Sequence, residues 1–220
     1  MSTGPDAATG DPYGELARLD PVLGRLTASY GRPDPFRWDD GGRTEDDRFA
    51  ALVLHIAGQQ ISTAVAFVLF DRIRAATGAL PDPAGIVALG PERLRACGLS
   101  HAKASYLLAL AESQLGGLID VDGLDGLTDA EAVAALTAVR GLGRWTAEMF
   151  LLHQLRRSDV LPVGDVGIRR AVERGWGLDA LPTPRDVERR TAAWSPYRSY
   201  ASALLWASLR PPETPAAPAR

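Results

Sequence analysis

Two short stretches of this chain hold residue types whose spacing could do chemistry. The first is Val139-Arg140-Gly141-Leu142-Gly143-Arg144-Trp145-Thr146-Ala147, and the second is Leu161-Pro162-Val163-Gly164-Asp165. Gly141 and Gly143 bracket one apolar residue, which predicts a tight glycine hairpin between two helices. A glycine has no Cβ, so its backbone N–H can approach a phosphate closely. The N–H groups of Gly143, Arg144 and Trp145 stand where a helix begins, the place an anion prefers. Asp165 follows a proline-marked break and opens another helix. It reads either as a helix cap or as a carboxylate acting on whatever the bound phosphate belongs to.

The elements that must position these residues are helical. Apolar residues recur at helical spacing along most of the chain, and no convincing alternating strand pattern appears. Tyr13 to Tyr30 reads as helical with a break at Pro21, and 33–42 reads as a loop. Thr44-Glu45-Asp46-Asp47 reads as a cap followed by acids in a first turn, ahead of a buried helix over 49–56. Gly58-Gln59-Gln60-Ile61-Ser62-Thr63 interrupts the helices, and Ser62 or Thr63 is placed to cap the next one through Ile73. Helices follow over 83–89, 91–97 and 100–114. Thr128 and Glu131 have the spacing of a capping box for a helix through Val139. Further helices cover 144–155, 166–174, 184–194 and 198–209. About ten helices with short loops predict an all-α fold.

Composition narrows the function. The chain has 220 residues, 46% of them hydrophobic, and a formal net charge of −3. Such a chain folds and buries a substantial core. No apolar run approaches the roughly 18 residues of a membrane span, and 1–12 has neither the basic start nor the apolar middle of a secretory signal. We therefore expect a cytoplasmic protein, in a prokaryote one associated with the nucleoid. Cys97 is the single cysteine, so no intrachain disulfide and no cysteine-based metal cluster can form. The acidic balance argues against broad coating of nucleic acid. Arginine is dense between Arg140 and Arg198, however, so one basic face remains open to that role. Residues 1–12 and 211–220 are rich in Pro, Ala and Gly and are expected to be disordered.

Four segments, in order, carry a family resemblance: Gly58-Gln-Gln-Ile-Ser62, Arg140-Gly-Leu-Gly-Arg-Trp-Thr-Ala147, Leu161-Pro-Val-Gly-Asp165, and Trp194-Ser-Pro-Tyr-Arg-Ser-Tyr-Ala201 with Trp206 beyond it. Together they resemble the helix-hairpin-helix DNA glycosylases, most closely the DNA-3-methyladenine glycosylase II family. The resemblance implies a two-lobed helical domain over 13–210 with a central cleft. One lobe would be 45–130 and the other 13–44 plus 131–210, with no N-terminal β-domain. It implies an enzyme that flips an alkylated purine out of duplex DNA and hydrolyses its bond to the sugar. The partner would be double-stranded DNA carrying alkylated bases, bound by a monomer. No cofactor is implied. No side-chain metal site is seen, although the hairpin carbonyls of such a domain can hold a cation.

Roles follow from the matched positions. Asp165 would be catalytic, since a carboxylate beside C1′ stabilises an oxocarbenium-like state and helps deprotonate water. Gly141, Leu142, Gly143, Arg144, Trp145 and Thr146 would form the DNA-binding hairpin. Trp145 stands where bifunctional relatives carry a Schiff-base lysine. The resemblance therefore implies base removal without strand cleavage. It also gives Trp145 a stacking role against a cationic base, the alternative being plain core packing. Trp206 and Met149 would complete the base pocket. Met149 stands where an aromatic residue is expected, and Val166 after Asp165 likewise makes the pocket less aromatic.

Gln60 best matches the wedge that fills the gap left by a flipped nucleotide, with Gln59 beside it. The two also read as an amide pair at helix ends. Ser100 and Lys103, opening another helix, are placed to meet a second phosphate. Asp159 reads as a solvated turn residue, and His55 and His153 read as core histidines. The competing class is a non-catalytic helix-hairpin-helix protein that binds DNA or senses lesions, and Asp165 discriminates between the two.

Overall fold

A computed structural model describes residues 10–211, and every regular element among them is helical. None of these helices is long and apolar enough to cross a membrane. The expected disordered ends fall largely outside the described residues. Residues 10–12 and 211 are described, and Pro12 already opens the first helix.

The chain divides into two compact units, one running up to Phe36 and resuming at Arg157, the other covering Arg37–Arg156. In the first, α1 (Pro12–Leu19) and α2 (Pro21–Tyr30) each begin on a proline, whose fixed φ suits the first helical position. The Asp20 carboxylate accepts a bond from Val22 N–H at 2.9 Å and so caps α2. The unit is completed by α9 (Val166–Gly175), α10 (Pro184–Thr191), a 3-10 turn at Ala192–Trp194, and α11 (Arg198–Ala207). Its core is built from Leu16, Leu23, Ile168, Val172, Trp194, Leu204 and Leu205, all buried. α11 packs against α1, α2 and α9.

The second unit is organised around α3 (Arg48–Gly58). Every residue from Phe49 to Ala57 is buried, as expected of a helix apolar on all faces. It packs against α4 (Thr63–Thr77), α6 (His101–Leu115) and α8 (Arg144–His153). α5 (Pro83–Ala96) bends at Gly90, where φ is 67° and ψ 174°, ahead of Pro91. The Gly90-Pro91 step is non-helical and separates the two helices expected over 83–89 and 91–97. α7 (Asp129–Ala138) starts with the expected Thr128/Glu131 capping box.

Two expectations need correcting. The stretch ahead of α3 is not a cap followed by a first turn. Asp47 is the cap, accepting from Ala50 N–H at 2.7 Å. Thr44 is buried and bonded to Asp40 instead, with its hydroxyl at 2.6 Å. Glu45 and Asp46 adopt left-handed φ of 52° and 61°. The boundary between units also falls elsewhere than the sequence placed it. α7 and α8 join α3–α6 because α8 packs directly on α3, and Gln59 Nε2 donates to the Gly141 carbonyl at 2.9 Å.

Candidate functional site

The hairpin forms as its residue types require. α7 ends at Val139, and the Leu142 N–H returns to the Val139 carbonyl at 3.1 Å. Gly141 has φ +95°, and a Cβ there would run into the Tyr106 ring, so only glycine fits. Leu142 is 4% exposed and pins the turn to the interior. Gly143 is the N-cap of α8 but brings no side chain to it, and the space where its Cβ would stand is open. Arg144 is exposed and pairs with buried Glu148 at 2.8 Å. Thr146 is buried.

The Gln59-Gln60 pair divides its work. Gln59 ties the end of α3 to the hairpin through the Gly141 carbonyl, a structural bond that does not suit a wedge. Gln60 is exposed and held at a left-handed φ of 59°, a strained conformation for a residue with a side chain. Lys103 does not project outward to a phosphate. Its Nζ donates to the Ala57 carbonyl at 2.7 Å, closing the C-terminal end of α3, and burial pushes its pKa below the ordinary lysine value. The Ser100 hydroxyl accepts from the Lys103 N–H at 3.3 Å as the cap of α6. Both side chains are thus engaged within the fold.

Trp145 and Met149 line a cavity of about 200 Å³ within the Arg37–Arg156 unit, together with Trp38, His55, Ile61 and Phe67. Trp145 is 40% exposed, which rules out plain core packing. Sequence reasoning missed Trp38, because it lies in a loop without periodicity. It also treated His55 as ordinary core, and the signal available was a lone imidazole in an otherwise apolar helix. The Trp38 and His55 rings are stacked with centroids 4.7 Å apart and planes 2° from parallel.

In the other unit, Asp165 is the N-cap of α9. Its Oδ1 accepts from Ile168 N–H at 2.9 Å and from the Trp206 indole N–H at 3.1 Å. Trp206 therefore holds Asp165 through its indole N–H, and it is not among the residues that line the cavity of Trp145 and Met149. Gly167 keeps this corner open, since a Cβ there would stand 2.9 Å from Asp165 Oδ1. The approach to Asp165 is braced from α11. Arg198 grips Asp159 with two bonds at 2.7 and 2.8 Å, and the Ser195 hydroxyl donates to Asp159 at 2.7 Å. Asp159 is thus not a solvated turn residue. Burial raises its pKa, but the bonds from Arg198 and Ser195 outweigh that and hold it below the ordinary carboxylate value. Val160 N–H donates to Ser199 at 2.9 Å, and Ser202 donates to the Val160 carbonyl at 3.1 Å. The Ser195-to-Ser202 segment is a brace for the strand of chain that leads into Asp165.

Comparison with known proteins places these features in a family context. Residues 53–196 match the HhH-GPD superfamily of base excision DNA repair proteins. The chain is 31% identical to DNA-3-methyladenine glycosylase 1 of Schizosaccharomyces pombe over 87% of its own length and 83% of that protein's. It is 31% identical to DNA-3-methyladenine glycosylase 2 of Escherichia coli over 73% of this chain and 57% of that one. The solved structure of the S. pombe 3-methyladenine DNA glycosylase in complex with abasic DNA superposes with a TM-score of 0.78. That match has 30% identity and covers 89% of this chain and 94% of that one.

Proposed function

The chain belongs to the HhH-GPD superfamily of base excision DNA repair proteins, and from that premise we propose that it is a monofunctional DNA glycosylase for alkylated purines. The reading is a monomer that binds duplex DNA, extrudes a 3-methyladenine- or 7-methylguanine-type base, hydrolyses the N-glycosidic bond and leaves an abasic site. The observation that carries it is Asp165, a carboxylate held in place by a backbone N–H and an indole N–H on one oxygen.

The chemistry needs little else. As the bond from C1′ to the base breaks, its electron pair passes to the base and cancels the formal charge of the methylated ring. Positive charge develops on the sugar, and the Asp165 carboxylate stabilises it. Water then adds at C1′ and gives its proton to the carboxylate. A cationic base leaves readily, so this substrate class needs little help from a general acid. Trp145 offers an indole face and no amine, so it can stack on a cation but cannot form a Schiff base with the sugar. The hairpin holds the DNA backbone through Gly143 and the first turn of α8, and Gln60 is the wedge.

The test is base release from methylated duplex DNA, resolved chromatographically, for the wild type and Asp165→Asn. Asparagine caps a helix as well as aspartate does, so the variant should fold and bind DNA normally. Its excision should fall by about a hundredfold to a thousandfold. Wild type should free the base without cutting the strand. If Asp165→Asn excised at the wild-type rate, or if it failed only because it no longer bound DNA, the catalytic reading would be lost.

A further inference from the structure

Gln59 and Gln60 are neighbours in the sequence, yet the fold treats them in opposite ways. α3 ends at Gly58, Gln59 turns the chain with φ −54° and ψ 127°, and α4 begins at Thr63. Gln60, between them, is exposed and sits at φ 59°. Left-handed backbone is uncommon for a residue with a long side chain, and it persists only where the surroundings fix it. Packing does not fix Gln60, because the residue is exposed. Its neighbours do. The Ile61 N–H donates to the Gly58 carbonyl at 3.3 Å and closes the turn. Gln59 Nε2 donates to the Gly141 carbonyl at 2.9 Å, a bond between residues 82 apart in the chain. Lys103 Nζ secures the helix end just ahead of the turn through the Ala57 carbonyl.

The far end of the Gln59 strut is fixed as well. Gly141 has no room for a Cβ beside Tyr106, and the Leu142 N–H returns to the Val139 carbonyl at 3.1 Å. One side-chain amide thus links two constrained turns. One turn carries Gln60, and the other leads into the N–H groups at the start of α8. Both sides also wall one cavity, with Gly58, Ile61 and Thr63 from the first and Trp145 and Met149 from α8. A wedge has to enter a duplex at a set distance from the place where the backbone is gripped. A free turn would have to be ordered on each encounter, and ordering weakens binding. A strut between wedge and grip removes that cost, because the geometry is set before DNA arrives.

We propose that Gln59 is a positioning residue: its amide, bonded to the Gly141 carbonyl, holds Gln60 in the left-handed conformation and fixes the wedge relative to the phosphate-binding hairpin. The proposal rests on the reading of Gln60 as the wedge. It goes beyond that reading in naming what sets the wedge and what ties it to the grip on the backbone.

Affinity is measured by fluorescence anisotropy for two duplexes of one sequence, one undamaged and one carrying a tetrahydrofuran abasic site, so no catalysis is needed. The abasic duplex has a gap for a wedge to fill. Gln59→Met keeps the length and bulk of the side chain and removes the donor, so it should fold. Its preference for the abasic duplex should fall about fivefold to tenfold. The loss should come from weaker binding of that duplex, with the undamaged one bound as in wild type because the hairpin is intact. Asparagine enters the left-handed region more readily than glutamine. In a Gln60→Asn background, Gln59→Met should therefore cost about threefold or less. A merely structural Gln59 would weaken both duplexes together, cost the same in both backgrounds, or unfold the protein when replaced, and any of these overturns the assignment. So does an unchanged preference in Gln59→Met, or a wild type that does not prefer the abasic duplex. If the preference depended on Gln59 as expected while methylated duplex DNA released no base, the glycosylase reading would fall and this assignment would stand. Base release with no dependence of the preference on Gln59 would decide the reverse.

Discussion

α8 and α9 begin in opposite ways. α8 starts at Gly143, which contributes no side chain and faces open space. α9 starts at Asp165, whose carboxylate is bonded to the first turn of its own helix. Every helix start presents N–H groups that its own carbonyls cannot reach. Where glycine stands, an external anion can come close to them. Where aspartate stands, the helix serves the side chain instead, fixing a carboxylate that would otherwise rotate. Under the proposed function, the same elementary feature would yield a binding surface in one unit and a positioned reactive group in the other. Which it yields depends on whether the first residue carries an oxygen.

The contrast can be broken most sharply by giving α8 what α9 has. Gly143 has φ −85° and ψ 167°, a conformation any N-cap residue adopts, so Gly143→Asp should fold. Thermal stability should be unchanged or slightly raised. Affinity for duplex DNA, read by fluorescence anisotropy, should drop about a hundredfold or more, since a carboxylate now faces the phosphate. Retained affinity would show that α8 does not meet the DNA backbone.

Trp206→Phe tests the other side with a smaller effect. It removes the indole bond to Asp165 and leaves the helix cap. Single-turnover excision should slow by roughly tenfold with little change in DNA affinity. A loss of affinity with an unchanged rate would assign Trp206 to binding rather than to holding the carboxylate. The smallest effect concerns the brace behind Asp165. Arg198→Ala should cost about 1–2 kcal/mol in urea unfolding, because the pair it breaks is partly exposed. The bonds from Arg198 and Ser195 hold the folded-state pKa of Asp159 below the ordinary carboxylate value. Its contribution is therefore complete above that value and is lost as pH falls through the folded pKa. Wild type should lose this part of its stability only at acid pH, and Arg198→Ala should lack that acid limb. Parallel acid curves would remove the brace from the account.

Much of this was legible in the sequence because it is local. The hairpin rests on glycines two residues apart, the α7 capping box on a three-residue spacing, and the Asp165 cap on its own first turn. What escaped was set by contacts distant in the chain. Lys103 reaches the carbonyl of Ala57, and nothing near Lys103 announces that it is occupied. Asp159 looks like a solvated turn until Arg198 is seen to close on it. Trp38 sits in a stretch with no period, and only the fold lays it on His55. The placement of α7 and α8 with α3 likewise depends on packing that no window of sequence contains.

The unit bearing Asp165 is assembled from two ends of the chain, with the whole of Arg37–Arg156 between them. That has a consequence for the order of events during synthesis. The inserted unit is contiguous and rich in short-range contacts, so it can close as soon as it leaves the ribosome. α1 and α2 must wait, their apolar faces without α9 and α11, until the last helices emerge. The hairpin therefore matures first and the carboxylate last. Under the proposed function, a nascent chain would gain a grip on DNA before it gained the means to cut a base from it.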